Sequence, residues 1–330
     1  MGLISIILVL MIFHGTKASN YDDRLSLNYY KESCPYTEEI VRREIEITLI
    51  REPRTAAQLL RLHFHDCFVM GCDASVLLDS TGEMISEKQA GPNLNSLRGF
   101  DVVDKIKSIL EEACPNIVSC ADLLAIAARD SVELRGGPYW KVKLGRRDSL
   151  IASFNGANQF IPKPNSSLET LISNFATQGL DEGDLVALSG SHTIGVSRCV
   201  SFKPRIYNGN IDDEYGYCKR NTVFRRILRS ICPKSGRDNA VVPLDFVTFT
   251  KFDSEYYRNL IQGKGLLNSD NVLISQDEEG RIVRRVWAYA LDQQLFFRSF
   301  ASSMVKMGKI NVITGDQGEV RRNCRVKNTL

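Results

Sequence analysis

Nine cysteines, at positions 34, 67, 72, 114, 120, 199, 218, 232 and 324, reach across almost the whole 330-residue chain and restrict its fold more than any other feature. Their spacing does not match the paired Cys-x-x-Cys knuckles of a structural zinc site. In a chain exported through an oxidising compartment they become cross-links between distant segments, with one left over because the number is odd. Spacing alone leaves the pairing open. The amino terminus fits export. Leu3 to Phe13 is a largely apolar run of eleven residues, and Thr16-Lys17-Ala18 places small residues one and three positions before a cut after Ala18. That run is too short to span a bilayer and reads as a signal peptide over residues 1–18, and no later stretch is long and apolar enough to anchor the mature chain. Asn165-Ser166-Ser167 is an acceptor triplet for N-glycosylation, which in an exported chain marks a surface loop.

A hydrophobic content of 43% lets the chain bury a sizeable core, in one large domain or two closely joined lobes. Its 42 basic and 39 acidic side chains are too evenly balanced for a phosphate-tracking nucleic-acid binder, so no nucleic-acid partner is expected. A pI near 8.3 permits only loose adhesion to acidic polysaccharide.

The apolar periodicity is helical almost throughout. Ile40, Glu44, Ile47 and Ile50 predict one helix closed by Pro53; the Leu59 segment follows as a second, and Phe100, Val103, Ile106 and Leu110 predict a third. Ser119, with Asp122 three residues on, caps a helix through Leu123 to Ala128. Trp140, Val142 and Leu144 alternate like a short strand, residues 150–166 read as a long loop, and 203–243 reads as irregular and charged. Leu168 to Phe175, Asp181 to Ser189, Val283 to Tyr289 and Leu291 to Met307 complete a class that is mainly α with minimal β.

The chemistry concentrates in Leu59 to Ser75. If its first half is helical, Arg61, Phe64 and His65 share a face and His63 points elsewhere. A guanidinium one turn from an imidazole suits a closed pocket where a proton moves and developing negative charge meets a fixed positive one. Alone, that pattern is more often that of a core helix with one satisfied histidine and a surface arginine. Once the signal peptide has removed His14, three histidines remain, and the third, His192, follows a helix-ending glycine in Leu188-Ser189-Gly190-Ser191-His192-Thr193-Ile194-Gly195. One histidine free to move protons and another free to bind metal is what the two faces of a haem require. Asp66, Asp73 and Ser75, with the carbonyls of Val69 and Gly71, bring five oxygens into ten residues, which suits calcium without matching an EF-hand.

Taken together, Arg61-Leu-His-Phe-His65-Asp-Cys-Phe-Val, Gly71-Cys-Asp-Ala-Ser75 and Leu188 to Gly195 strongly resemble the secretory (class III) plant haem peroxidases. Further matches are Leu25-Ser26 through Tyr30, Ser33-Cys34-Pro35, Val118 to Asp122, Gly136-Gly137-Pro138, Gly145 to Asp148, Phe252-Asp253, Tyr256-Tyr257, and Thr314-Gly315 to Cys324-Arg325, so the likeness covers essentially residues 25–326.

The resemblance implies a two-lobed haem peroxidase domain over residues 19–330, distal lobe roughly 25–160 and proximal lobe roughly 161–326, with one haem b between the lobes and two calcium ions. It makes His192 the axial ligand of the iron and Asp270 the acceptor for its other ring nitrogen. His65 becomes the proton carrier for hydrogen peroxide, Arg61 the stabiliser of the departing oxygen, Asn93 the residue that holds His65, and Glu87 the support of Asn93; Phe64 belongs to the same pocket. Asp66, Val69, Gly71, Asp73, Ser75 and Glu87 fall to one calcium, and Thr193, Asp245, Thr248, Lys251 and Asp253 to the other. Phenolic donors give single electrons at the haem edge beside Pro162, and lignin monomers, wall phenolics or wall tyrosines are all within the family's range. The implied disulfides are Cys34–Cys114, Cys67–Cys72, Cys120–Cys324 and Cys199–Cys232, which leaves Cys218 as a free thiol, and Asp122 with Arg146 is an internal ion pair. The expected product is a monomer secreted to the extracellular space or cell wall.

Two rivals stand beside it. A zinc hydrolase could use His63, His65 and Asp66, though further histidines are lacking and Arg61 would repel the metal. A non-catalytic calcium-binding wall protein could keep the fold alone. Departures from the family are Met70 in the calcium loop, Ser254 after Phe252-Asp253, and Gly91, Asn165 and Ser201 where the horseradish member carries phenylalanines around its donor site. A glycan on Asn165 would narrow access beside Pro162.

Overall fold

Helix α1 (Thr37–Arg51) opens the computed structural model, which describes residues 25–207 and 222–329; the expected signal peptide and Cys218 lie outside the described residues. Helix α2 (Thr55–Cys67) follows after the Pro53 break, then α3 (Phe100–Ala113) and α4 (Cys120–Glu133). Ser119 Oγ accepts the Asp122 N–H at 3.1 Å and starts α4, whose residues are buried from Cys120 to Val132. A helix buried on every side belongs in a core. Its small side chains, Ala121, Ala125, Ala127 and Ala128, let α2 pack closely against it, with α1 and α3 beside them. Asp122 is the polar pin of this layer: it accepts from Tyr30 Oη at 2.8 Å, from the Gly145 N–H at 2.6 Å and from Arg146 Nη1 at 2.8 Å. The expected Asp122–Arg146 pair is therefore present and fully buried.

The second half adds α5 (Phe154–Phe160), α6 (Leu168–Thr177), α7 (Glu182–Ser189), α8 (Lys203–Tyr207), α9 (Thr222–Ile231), α10 (Glu255–Ile261), α11 (Asn268–Ser275), α12 (Arg281–Leu291) and α13 (Gln293–Met307). Strands β1 (Val196–Arg198) and β2 (Val241–Pro243) form an antiparallel ribbon with Ser197 opposite Val242. The fold is thus mainly α with minimal β. One core, from Leu25 to Cys324, draws residues from both halves, and a smaller one surrounds Cys199 and Cys232. Among the described residues the disulfides are Cys34–Cys114, Cys67–Cys72, Cys120–Cys324 and Cys199–Cys232. The Cys120–Cys324 bond closes a separation of 204 residues, which in the entropic account restricts the unfolded chain by roughly 5 kcal/mol.

Several local expectations change. Trp140 to Leu144 is not a strand: only Leu144 pairs, in one bridge to Ser26, because Trp140 turns inward against Phe300 and no further strand lies alongside. The loop expected over 150–166 contains α5, whose sequence Phe-Asn-Gly-Ala-Asn-Gln-Phe is a poor helix former. Its context makes it a helix: Ser153 Oγ accepts the Gly156 N–H at 3.1 Å and Gly156 and Ala157 are buried. The region 203–243 holds α8, α9 and β2, since Phe224 and Leu228, one turn apart, pack on the Cys199–Cys232 cluster between exposed arginines.

Candidate active site

Helix α2 does bring Arg61, Phe64 and His65 to one face, as their spacing requires. His65 Nδ1 lies 2.6 Å from Asn93 Oδ1. Asn93 Nδ2 donates to the Glu87 carbonyl at 2.8 Å, which fixes the amide so that its oxygen faces the ring. An amide oxygen only accepts, so His65 carries its proton on Nδ1 and a lone pair on Nε2. Arg61 Nε donates to that lone pair at 3.1 Å. The rest of the guanidinium is held by the Pro92 carbonyl and Ser96 Oγ, both 3.1 Å from Nη2, and by the Ser96 carbonyl, 3.2 Å from Nη1. Burial first, and the Arg61 charge second, hold His65 well below the usual imidazole range, so it is a neutral base. Burial pulls Arg61 down to about 10, which leaves it charged at neutral pH. The Phe64 ring stands edge-on to His65 at 5.4 Å.

His63 points the other way, into the core, with Nδ1 3.6 Å from Cys67 Sγ. Burial drives its pKa down to about 3. The zinc reading fails on this geometry. His63 faces the core, His65 faces Asn93, and Asp66 Oδ2 accepts the Ala74 N–H at 2.9 Å, so the three do not converge. Among the described residues the one cluster with metal-ligand spacing is His63, Cys67 and Cys72, and its two sulfurs are joined in a disulfide.

His192 sits in a short 3₁₀ turn, Gly190–Thr193, placed by α7. The turn needs glycine at 190, where a Cβ would lie 2.4 Å from Tyr257 Oη and 2.5 Å from the Phe296 ring. His192 Nδ1 donates to Asp270 Oδ1 at 2.7 Å, and Nε2 has no hydrogen-bond partner among the described residues. Asp270 is itself fixed: Oδ2 accepts the Leu267 N–H at 2.9 Å, and Oδ1 also accepts from Tyr256 Oη at 3.1 Å. A half-exposed imidazole with one nitrogen anchored to a carboxylate and the other free has the donor chemistry of a metal ligand.

The two acidic groups differ in construction. Beside α2, Asp66 Oδ1, Ser75 Oγ and Glu87 Oε2 are all buried without hydrogen-bond partners. Each such atom costs about 1–3 kcal/mol, so three of them in one small region form an oxygen set suited to a cation. Burial, and for Asp66 the neighbouring Asp73, holds Asp66 well above the usual carboxylate range, and burial pushes Asp73 up to about 6 and Glu87 up to about 7. A divalent cation would relieve all three. Gly71 closes this loop against Ile310 and Asn311 with φ +130°, where a Cβ would lie 2.5 Å from the Asn311 carbonyl oxygen. On the other side, the hydroxyls of Thr193 and Thr248 each lie 3.1–3.3 Å from both Asp245 Oδ2 and Asp253 Oδ1. Two hydroxyl protons cannot serve four such contacts, and two buried carboxylates facing each other call for a positive charge. The Lys251 side chain is exposed, with Nζ 3.8 Å from Asp253 Oδ2.

Glu87 supports Asn93, as the resemblance implies. Its backbone carbonyl, not its carboxylate, supports Asn93, while Oε1 accepts the Ser153 N–H at 3.0 Å at the start of α5. One residue therefore links the oxygen-rich loop to the base His65. Pro162 lies half-buried in a loop tied to α11 by the Ser269 N–H to the Pro164 carbonyl at 3.0 Å, and Asn165 is exposed. Sequence reasoning missed Ser96, Pro92 and the hydroxyl of Tyr256. The first two act through a loop fold that no pattern announces, and Tyr256 was visible only as half of a Tyr-Tyr pair.

Comparison with known proteins bears on this geometry. A family profile described as Peroxidase matches residues 41–289. The chain is 59% identical to Peroxidase 20 of Arabidopsis thaliana over 327 residues, covering 98% of this chain and 96% of that protein. It is 53% identical to Peroxidase 9 over 91% of this chain and 86% of that one, and 53% identical to Peroxidase 49 over 94% and 93%.

Proposed function

The chain belongs to the plant haem peroxidase family, and from that premise we propose which of its residues carry the reduction of hydrogen peroxide and the oxidation of its reducing substrates. The observation that carries the assignment is the contrast between the two histidine anchors, Asn93 behind His65 and Asp270 behind His192. Haem, when bound, supplies the iron at which peroxide is reduced and holds the two oxidising equivalents that donors then consume.

His192 Nε2 would hold the iron, and Asp270 gives the ring anionic character by accepting from Nδ1. His65 Nε2 takes the proton of the incoming peroxide and returns it to the outer oxygen, which leaves as water. Arg61, charged and held by Pro92 and Ser96, meets the negative charge on that departing oxygen. Phe64 fills the pocket wall beside the base. The group would be haem b, with two calcium ions: Asp66, Asp73, Ser75 and the carbonyls of Val69 and Gly71, with Glu87 behind them, would hold one, and Thr193, Asp245, Thr248, the Lys251 carbonyl and Asp253 the other. The donors are small phenols or wall polymers, oriented near Pro162. The protein is an exported monomer of one domain, residues 19–330, with distal and proximal lobes meeting near residue 160; no described helix is long and apolar enough to cross a membrane, which fits that reading.

A single titration tests the assignment. Purified protein should show a strong haem absorption band that shifts when hydrogen peroxide is added and returns when a phenol follows, and a His65→Ala protein should keep the band and lose the rapid shift. A colourless protein carrying zinc would overturn it.

A further inference from the structure

Four aromatic rings run in sequence from the iron-side histidine into the core. His192 and Tyr256 are 6.1 Å apart, centroid to centroid and edge-on; Tyr256 and Tyr257 are 5.1 Å apart; Tyr257 and Tyr289 are 5.2 Å apart. All three tyrosines are buried. Rings at these separations pack efficiently, and phenylalanine would pack as well, so the hydroxyls ask for a reason.

The three hydroxyls are not equivalent. Tyr256 Oη donates to the Asp270 carboxylate at 3.1 Å. Tyr257 Oη donates to the Val186 carbonyl at 2.9 Å and lies 3.3 Å from that of Ala187, and an amide carbonyl is too weak a base to take a proton. Tyr289 Oη is buried without a partner among the described residues. A phenol that loses an electron becomes a strong acid, so oxidation of a buried tyrosine proceeds where a base already holds its hydrogen bond. Only Tyr256 meets that condition.

We propose that Tyr256 is a redox-active residue: when no donor is bound, it gives one electron to the haem oxidised by hydrogen peroxide and its phenolic proton to Asp270 Oδ1. The step balances within the protein. The haem pocket is reduced by one electron, the Tyr256 O–H bond breaks, the carboxylate of Asp270 becomes a carboxylic acid, and a neutral tyrosyl radical remains. One-electron reduction by a later donor restores the phenolate oxygen, and Asp270 returns the proton. Tyr257 and Tyr289 extend the ring series but lack a proton acceptor, so the radical stays on Tyr256. Such a residue stores an oxidising equivalent that would otherwise attack the haem pocket. The inference rests on the peroxidase reading of His192 and Asp270.

The experiment is freeze-quench electron paramagnetic resonance on the haem-loaded protein mixed with an equal amount of hydrogen peroxide and no donor, with the absorption spectrum read in parallel. Wild type and Tyr289→Phe should show a tyrosyl signal that Tyr256→Phe lacks. An equal signal in Tyr256→Phe, or a wild type whose haem band shifts with no tyrosyl signal, overturns the proposal alone. A wild type whose haem band does not shift overturns the peroxidase reading and this proposal with it. Should Tyr256→Phe fail to fold, the wild-type signal itself decides the matter: a tyrosyl signal broadened and rapidly relaxing because of the iron beside His192 supports the proposal, and a narrow, slowly relaxing one contradicts it.

Discussion

His65 and His192 are the same side chain placed in two opposite roles by what stands behind Nδ1. Behind His65 is a neutral amide, itself held by a backbone carbonyl, and beside it a guanidinium. Behind His192 is a carboxylate fixed by a backbone N–H and a tyrosine. The amide fixes a tautomer without adding charge, so Nε2 stays a neutral proton acceptor. The carboxylate adds charge to the ring, which suits an imidazole that must stabilise an electron-poor metal. A histidine's function is thus written in its neighbour.

The contrast breaks most visibly at the base itself. A His65→Ala protein should keep its haem and react with peroxide about 10²–10⁴-fold more slowly, the usual worth of a positioned general base, as followed by stopped-flow absorption. Arg61→Ala should slow the same step by roughly 10²-fold with the band position nearly unchanged, since one charge-stabilising donor group is lost. Removing the anchor instead of the base, Asn93→Ala should cost about 10–100-fold, within the range seen for partners that orient a functional imidazole. If Asn93→Ala costs as much as His65→Ala, the amide does more than orient.

The pH profile sharpens the same point. On the proposed assignment the base form of His65 is the active one, and burial with Arg61 nearby lowers its pKa well below the ordinary 6.5. Protonation therefore sets in only as pH falls far below that value, and the peroxide rate constant should stay level from neutrality through pH 6.5 before declining. An inflection at or above 6.5 would mean that His65 is not the group described here. The smallest effect is at the rim: Asn165→Gln should leave the peroxide step untouched and raise turnover of bulky phenols slightly, and equal turnover would show that no glycan narrows the approach. If calcium fills both oxygen-rich groups as proposed, its chelation should loosen both histidine sites, with the larger loss at His65 because Glu87 joins the oxygen-rich loop directly to Asn93.

Much of this was legible before any coordinates. Arg61 and His65 lie one turn apart on an apolar segment, and helical spacing alone placed them together. His192 and Asp270 are 78 residues apart, so only resemblance to a family could join them. The long helices followed from periodicity, whereas α5, α10 and α11 are short, seven or eight residues, and are held by packing and hydrogen bonds from elsewhere in the chain. For Glu87 the expected support of Asn93 is there, but its form was not legible, because side-chain identity says nothing about which backbone carbonyl a loop presents.

The midpoint reduction potential of the haem tests the central contrast most directly. Asp270→Asn should move it to more positive values, because the His192 ring loses its anionic partner, while Asn93→Ala should leave it unchanged. Equal shifts in the two variants, or no shift in Asp270→Asn, would contradict the assignment of opposite roles to the two histidines.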